Sequence, residues 1–131
     1  MIVLVNVLLY IWQLPQNLLG LLVIFFSKAK PNEDGFFTGV YFTKCNFGVS
    51  LGSYIILNKD IIMNDILHER GHQEQSLYLG WLYLIIIGLP SACGNLYDRW
   101  FHKNWTYLER YRWYYSLPWE HWADKLGDVK R

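Results

Sequence analysis

Residues 68 to 72 read His-Glu-Arg-Gly-His, and their types and spacing suggest metal chemistry more directly than any other stretch. On a helix, positions four apart lie on one face, so His68 and His72 can direct two imidazoles at one metal ion. Glu69 stands beside the same ion, where its carboxylate can hold a water molecule. This H-E-x-x-H arrangement is typical of zinc-dependent hydrolysis. An ordinary charged helix is the alternative interpretation.

Two histidines leave a zinc site incomplete, because catalytic zinc usually takes three protein ligands and a water. The metzincin pattern needs a histidine and a glycine where this chain has Tyr78 and Gln75. Near the C-terminus, Glu120 and Asp124 are spaced to share one face of a helix. Glu120 can complete a His₂Glu site, and Asp124 can accept the free ring N–H of His68. Other candidate third ligands are Asp98, His102 and His121.

Supporting roles fall to a few polar residues near these ligands. Gln75 comes one turn after His72 and can support a ligand or an outer water, although a satisfied buried amide is the alternative. Amide hydrolysis also needs a hydrogen-bond donor for the developing oxyanion. The candidates, all close in sequence to Glu120, are Tyr114, Tyr115 and His121. The sequence does not choose among them.

Composition narrows the class of protein. The 131 residues suggest a single domain over 1–131. The hydrophobic share is 53% and the aromatic share 18%, both high for a soluble domain. A net charge of +1 gives no general attraction to nucleic acid, so we expect no nucleic-acid partner. Cys45 and Cys93 stand far apart and are interpreted as free thiols.

The first 26 residues are largely apolar and long enough to cross a bilayer. Their middle, residues 13–17, is polar and contains a proline. We interpret 1–26 as a membrane helix that is kinked here, with its polar side chains facing protein. Two shorter pieces, or a buried helix of a soluble core, are the alternatives. Lys28 and Lys30 follow directly, which favours a cytoplasmic position for that end.

Two short strands are predicted next, because residues 36–57 are rich in aromatic and β-branched residues. They are expected to form a β-hairpin that turns through Lys44 to Gly48. In zinc peptidases an edge strand beside the metal helix pairs with an extended substrate, and Ser50 to Leu57 is the candidate strand here. A purely structural sheet is the alternative.

The rest of the chain is predicted to be helical. Residues 60–90 form the metal helix and an apolar continuation, with a break expected near Gly88 to Gly94. Residues 95–127 contain a returning aromatic helix and a final helix that brings Glu120 to the metal. Aromatic residues mixed with Arg and Lys in this segment suit a membrane interface. Residues 128–131 are a polar tail.

The stretches HERGH and EHWAD together resemble the gluzincin branch of the zinc metallopeptidases. In that branch a ligand Glu on a separate helix is followed four residues on by an Asp that supports a ligand His. The longer strings HERGHQEQSLYLGWLYLIIIGLPS and YYSLPWEHWADKLG are similar to a group of small bacterial membrane proteins with an HExGHxxQS pattern and a later ExxAD. This second resemblance implies a location in the bacterial cytoplasmic membrane and supplies no substrate.

These observations combine into one expectation: a mostly helical α+β protein with a membrane-associated, zincin-like core. Its function would be a zinc-dependent metallopeptidase that hydrolyses peptide bonds, with Zn²⁺ held by His68, His72 and Glu120. Glu69 would accept the proton of the metal-bound water. Its partners would be a peptide or protein substrate and the lipid bilayer. The alternative is a non-catalytic membrane scaffold or binding protein that retains the metal site.

Overall fold

The fold is α+β and mostly helical, as the sequence predicts. The computed structural model describes residues 1–33 and 38–131, and within them six α-helices surround a four-stranded sheet. The helices are α1 (Ile2–Trp12), α2 (Leu14–Ser27), α3 (Met63–Leu79), α4 (Leu89–Phe101), α5 (Tyr107–Ser116) and α6 (Pro118–Leu126). The strands are β1 (Lys30–Pro31), β2 (Val40–Thr43), β3 (Gly48–Leu51) and β4 (Tyr54–Asn58).

The sheet is mixed, with the order β1-β2-β4-β3. β2 runs parallel to β4, whereas β3 and β4 are antiparallel and form the hairpin. The predicted turn through Lys44 to Gly48 is therefore wrong: that segment leads from β2 to β3 at the opposite edge, and the hairpin turns at Gly52 and Ser53. Gly52 has a φ of +65° there, a conformation that favours glycine. The predicted start of the hairpin, at residues 36 and 37, lies outside the described residues.

A small apolar core lies between the sheet and the first turns of α3. Val40, Ile55, Leu57 and Ile66 are buried together, and Phe42 and Ile61 pack against them. Ile55 and Leu57 of β4 contribute to this core, and their strand lies inside the sheet between two neighbours. Asp65 then fixes the start of α3, since its carboxylate accepts a hydrogen bond from the Ile62 backbone N–H at 3.2 Å.

Sharp bends interrupt both long apolar segments. α1 and α2 meet at 82°, so residues 1–26 form two helices and the prediction of one kinked membrane helix is wrong in that respect. Helical segments Met63–Leu82 and Leu84–Phe101 meet at 118°, which places the break before the predicted 88–94 region. Pro90 causes no break: it lies just after the wider π-helical turn Leu84–Gly88, and the helical segment continues through it. Among the described residues no single helix is long and apolar enough to cross a membrane, although each bent pair meets that criterion when its halves are combined.

The polar middle of the N-terminal segment binds the end of α3. The buried Gln16 amide donates to Ser76 Oγ at 2.9 Å and to the Gly80 carbonyl at 2.8 Å. Ser76 Oγ in turn donates to Gln13 Oε1 at 2.7 Å. These polar side chains therefore bond to one another and to a backbone carbonyl at the helix bend.

Two tryptophans connect the same two bends in reciprocal fashion. Trp12 Nε1 donates to the Leu77 carbonyl at 2.8 Å, and Trp81 Nε1 donates to the Ile11 carbonyl at 2.9 Å. Each indole thus donates to a backbone carbonyl near the end of the other helix. The two bent helix pairs are locked together at their bends.

Helices α3 and α6 cross with their backbones in close contact. A Cβ added to Gly71 would lie 1.8 Å from the Ala123 carbonyl oxygen, and one added to Gly127 would lie 1.9 Å from that of Leu67. Only glycine permits this approach, which explains a glycine inside the helix that carries both histidines. The crossing brings α6 directly over the histidine face of α3.

Candidate metal centre

Three side chains from two helices converge at the crossing of α3 and α6. His68 Nε2 and His72 Nε2 lie 3.0 Å and 3.1 Å from the same oxygen, Oε2 of Glu120. All three residues are buried, and one ligand atom from each lies within 4.8 Å of the others. The structure therefore brings together the three residues that the sequence suggests as ligands, and the group could hold a metal ion.

The outer nitrogen of each imidazole has its own partner. His68 Nδ1 lies 2.7 Å from Oδ1 of Asp124, and His72 Nδ1 lies 2.7 Å from Oε1 of Gln75. Gln75 is itself held, because its amide donates to the Trp119 carbonyl at 2.9 Å. Both partners accept, so each neutral ring carries its proton on Nδ1 and presents the Nε2 lone pair to the centre.

Glu120 is held by its second oxygen. Ser91 Oγ and the Tyr114 hydroxyl, at 3.1 Å, both donate to Oε1. This leaves Oε2 for the imidazoles and orients it toward them. Ser91 was not predicted from the sequence; its only signal was a hydroxyl in an uncharged, apolar run.

The donor set fits a small divalent cation. Two imidazole lone pairs and a carboxylate oxygen are all acceptors, so an ion among them satisfies all three at once. In tetrahedral zinc coordination, with bonds of about 2.0–2.1 Å, ligand atoms lie roughly 3.3 Å apart. The observed Nε2 to Oε2 distances are only slightly shorter than that.

The carboxylates around the two imidazoles also favour the protonated, positively charged form of each ring. Burial disfavours a charged imidazole, but hydrogen bonds to Asp124 and Glu120 outweigh it and raise the pKa of His68 to about 9. The same balance, with Glu120 as partner, raises the pKa of His72. Burial acts to raise the pKa of Glu120, yet hydrogen bonds from both imidazoles hold it well below its usual range. The centre thus attracts positive charge strongly.

Glu69 lies beside the three ligands, with one carboxylate oxygen unpaired among the described residues. Its carboxylate is buried, and Oε2 makes no hydrogen bond within the described part of the chain. Burial raises the pKa of Glu69, an effect that the neighbouring imidazoles partly oppose. A buried, unpaired carboxylate oxygen costs free energy unless something binds it. It therefore marks the place where a water or a substrate group fits.

A cleft of about 910 Å³ opens over these residues. β3 lines one side, α4 and α5 line the other, and His68, Glu69 and His72 contribute from α3. β3 is an edge strand, whereas β4 lies inside the sheet, so of the predicted segment Ser50 to Leu57 only Ser50 and Leu51 lie in a strand with a free edge. An added Cβ at Gly48 would lie 3.4 Å from Glu69 Oε1, which places this edge next to the ligands.

The remaining candidates occupy different positions. Tyr114 donates to Glu120, and Tyr115 lies edge-on to the His68 ring at 5.1 Å between centroids; both line the cleft. His121 is exposed on α6 and lies outside the cleft lining, so the structure does not bring it to the site. Asp98 binds Arg110 and His102 rather than the imidazoles of α3, which removes Asp98 and His102 as third ligands.

Comparison with protein-family models, with characterised proteins and with solved structures finds no match for this chain. What the site can do therefore has to be argued from its own geometry.

Proposed function

We propose that this protein is a membrane-associated, zinc-dependent metallopeptidase of gluzincin type. The observation that carries the proposal is the convergence of His68, His72 and Glu120 beside the unpartnered carboxylate oxygen of Glu69. A purely structural site needs no additional carboxylate at an open cleft, because structural zinc is closed off by its ligands. Zinc is the ion of choice because two imidazoles and one carboxylate form a typical catalytic zinc set.

The bound ion would supply Lewis-acid chemistry, lowering the pKa of a water and polarising a carbonyl. Glu69 provides the base, because its free oxygen accepts a proton from that water and can return it to the leaving amine. Burial raises the pKa of Glu69, which brings its proton affinity closer to that needed near neutral pH. Of the two tyrosines in the cleft, Tyr115 is the better oxyanion donor, since the Tyr114 hydroxyl already serves Glu120.

The substrate is an extended peptide, because the cleft offers it a strand edge. The Phe47 carbonyl accepts from Asn58, so alternate residues of β3 bond to β4 and Gly48 and Ser50 direct their backbone groups outward. The Tyr83 hydroxyl donates to the Ser50 carbonyl at 3.0 Å, which leaves Gly48 as the residue whose two backbone groups can pair with a substrate. Gly48 is also the strand residue next to Glu69.

The test is Glu69→Gln in the purified full-length protein, assayed for zinc content and for cleavage of a quenched fluorescent peptide library. We expect about one bound zinc in both proteins and a loss of cleavage of at least about a hundredfold in the variant. Glu74→Gln is the matched control, because Glu74 is exposed on the same helix. Equal cleavage by the Glu69 variant would reject this base, and zinc binding without any cleavage would favour the scaffold alternative.

The ligand set is tested separately by Glu120→Ala. We expect zinc affinity to fall sharply, because the variant loses one of three ligands and leaves the two imidazoles without their shared acceptor. Competition with a coloured chelator measures the change. Unchanged affinity would place the third ligand elsewhere.

Contact with the lipid bilayer, in the bacterial cytoplasmic membrane, is proposed from the apolar surface. None of the residues of α1 is buried, and α2 exposes a further set: Leu18, Leu19, Leu21, Leu22, Phe25 and Phe26. A contiguous apolar surface of this kind is costly in water. We expect the protein to float with phosphatidylglycerol-containing vesicles in a density gradient, and release from membranes by salt alone would contradict the proposal.

A further inference from the structure

The residues after α6 fold back toward the metal centre. The Val129 N–H donates to the Asp124 carbonyl at 2.9 Å, and the Asn64 side chain donates to the Lys130 carbonyl at 3.2 Å. These two contacts hold the segment against α6 and the first turn of α3. They aim the side chain of Arg131 inward, where it is only 14% exposed.

Each of the three nitrogens of the Arg131 guanidinium donates a hydrogen bond, and its central carbon lies over an aromatic ring. Nε and Nη2 donate to the two oxygens of Asp124 at 2.6 Å and 2.9 Å, which is the bidentate geometry that guanidinium groups favour. Nη1 donates to the Tyr111 hydroxyl. Its central carbon lies 3.4 Å from the centroid of the Tyr115 ring, as in a close cation–π contact.

Asp124 and Tyr115, which both contact the His68 ring, are therefore held by one guanidinium. Asp124 accepts from His68 Nδ1, and the Tyr115 ring lies against the His68 ring. The other ligand histidine is supported differently, because the partner of His72 is the neutral Gln75, which is fixed by a backbone carbonyl. Arg131 thus acts on one of the two imidazoles and not on the other.

We propose that Arg131 is a positioning residue that sets the orientation of His68 through Asp124 and Tyr115, and thereby the affinity of the site for its metal. This inference rests on the proposed function for the metal but not for the peptidase reaction. Without the guanidinium, Asp124 loses the fork that fixes its plane and can turn toward water. The His68 ring then loses its fixed direction toward the centre.

The first experiment needs no metal. Imidazole ¹⁵N and ¹H resonances are recorded in metal-free wild type, Arg131→Ala and the control Lys130→Ala, whose side chain is exposed. We expect the His68 resonances to move in Arg131→Ala while those of His72 stay in place, and neither to move in the control. No movement at His68, or equal movement at both rings, overturns the proposal.

The second experiment measures Zn²⁺ affinity by chelator competition. We expect Arg131→Ala to weaken binding by about threefold to tenfold, below the 10–100-fold typical of direct outer partners of a ligand. Arg131→Lys should not restore affinity, because an ammonium cannot bind both carboxylate oxygens as a fork. In an Asp124→Asn background Arg131→Ala should have no further effect.

The outcomes separate the two proposals. Full restoration by Lys would show that charge alone matters, and an undiminished effect without Asp124 would show that Arg131 acts by another route; either result overturns the positioning role. A wild type that binds no zinc defeats the proposed function, and the metal-free resonances alone then decide the role of Arg131.

Discussion

At the scale of single residues, each ligand is held by an atom that does not face the centre. Asp124 and Gln75 take the outer nitrogens of the two imidazoles, and Ser91 and Tyr114 take the outer oxygen of Glu120. Each partner comes from a different turn or helix, so the ligands keep their directions without the ion. A site arranged in advance loses less conformational entropy when metal binds.

Ser91 tests this arrangement most simply. Ser91→Ala removes a donor to Glu120 and should weaken zinc binding by about tenfold, since partners of this kind contribute 10–100-fold to affinity. Chelator competition measures the effect. The control is Ser116→Ala, whose hydroxyl bonds only to the Trp113 carbonyl at an exposed position. Equal affinities in the two variants would show that Tyr114 orients Glu120 without help.

The sequence identified the residues that converge at this centre because their spacing obeys helical geometry, whereas it could not identify Ser91 or Arg131. Histidines four residues apart define a face without any knowledge of the tertiary fold. Ser91 and Arg131 matter only through contacts across helices whose approach depends on packing. A hydroxyl in an apolar run and an arginine in a polar tail have no period that predicts such contacts.

At the scale of elements, the crossing of α3 and α6 decides whether the site exists. At this crossing the Ala123 carbonyl approaches Gly71 so closely that no side chain would fit between them. The sequence misplaced the hairpin turn and the break after α3, because glycines, asparagines and a proline occur at several positions that suit a turn. Tertiary contacts decide which of these positions bend: the hairpin turns at Gly52, and the helix after α3 bends before Leu84.

Gly71→Ala should force the two helices apart. The new Cβ would meet the Ala123 carbonyl oxygen at 1.8 Å, and neither backbone can move without displacing Glu120 from the imidazoles. We expect a lower Tm together with loss of most zinc affinity. Gly88→Ala is the control, since its Cβ would make only ordinary contacts, the nearest at 3.4 Å. A stable Gly71 variant with full metal content would show that the crossing tolerates wider spacing.

The cluster of Asp98, His102 and Arg110 ties α4 to α5 and predicts a pH dependence. Burial opposes ionisation of Asp98, but hydrogen bonds from Arg110 and His102 lower its pKa below the usual value near 3.8. A lowered pKa stabilises the fold above about pH 4, and that contribution is lost as pH falls through the folded value. Asp98→Asn should therefore lower the Tm by a few degrees at pH 7, with a difference that shrinks below pH 4.

Thermal unfolding from pH 3 to pH 7 measures this difference. Asp60→Asn serves as the control because the Asp60 side chain is exposed. A constant offset between Asp98→Asn and wild type across the whole range would show that packing of the side chain, rather than its charge, stabilises this cluster.

At the scale of the whole molecule, contacts between the two bends join the exposed apolar helices α1 and α2 to the helix that carries His68 and His72. Their link is polar: Gln13, Gln16 and Ser76 are buried with the Gly80 carbonyl at the meeting of the bends. The N-terminal segment therefore binds the same helix that carries His68 and His72. Movement of α1 and α2 would be transmitted to the end of α3.

Gln16→Ala should loosen this link. Ser76 Oγ and the Gly80 carbonyl each lose one buried donor, while Ser76 still donates to Gln13 and the Gly80 carbonyl still accepts from the Tyr83 N–H. We expect a lower Tm, because a hydrogen bond of this kind contributes about 0.5–1.5 kcal/mol. Circular dichroism during heating measures the shift. Asn6→Ala is the control, because Asn6 is exposed on α1. An unchanged Tm in Gln16→Ala would mean that the two tryptophan bonds suffice to hold the bends.

The hydrogen bonds that join the two bends can form only late in synthesis. The acceptors of Gln16 lie 60 and 64 residues further along the chain, so α1 and α2 leave the ribosome before the residues that bind Gln16 do. During that interval the side-chain amides of this segment can bond only to water, and its leucines and phenylalanines are exposed to solvent. The nascent chain is then most prone to aggregate, and a chaperone or insertion factor that shields it would act in this window.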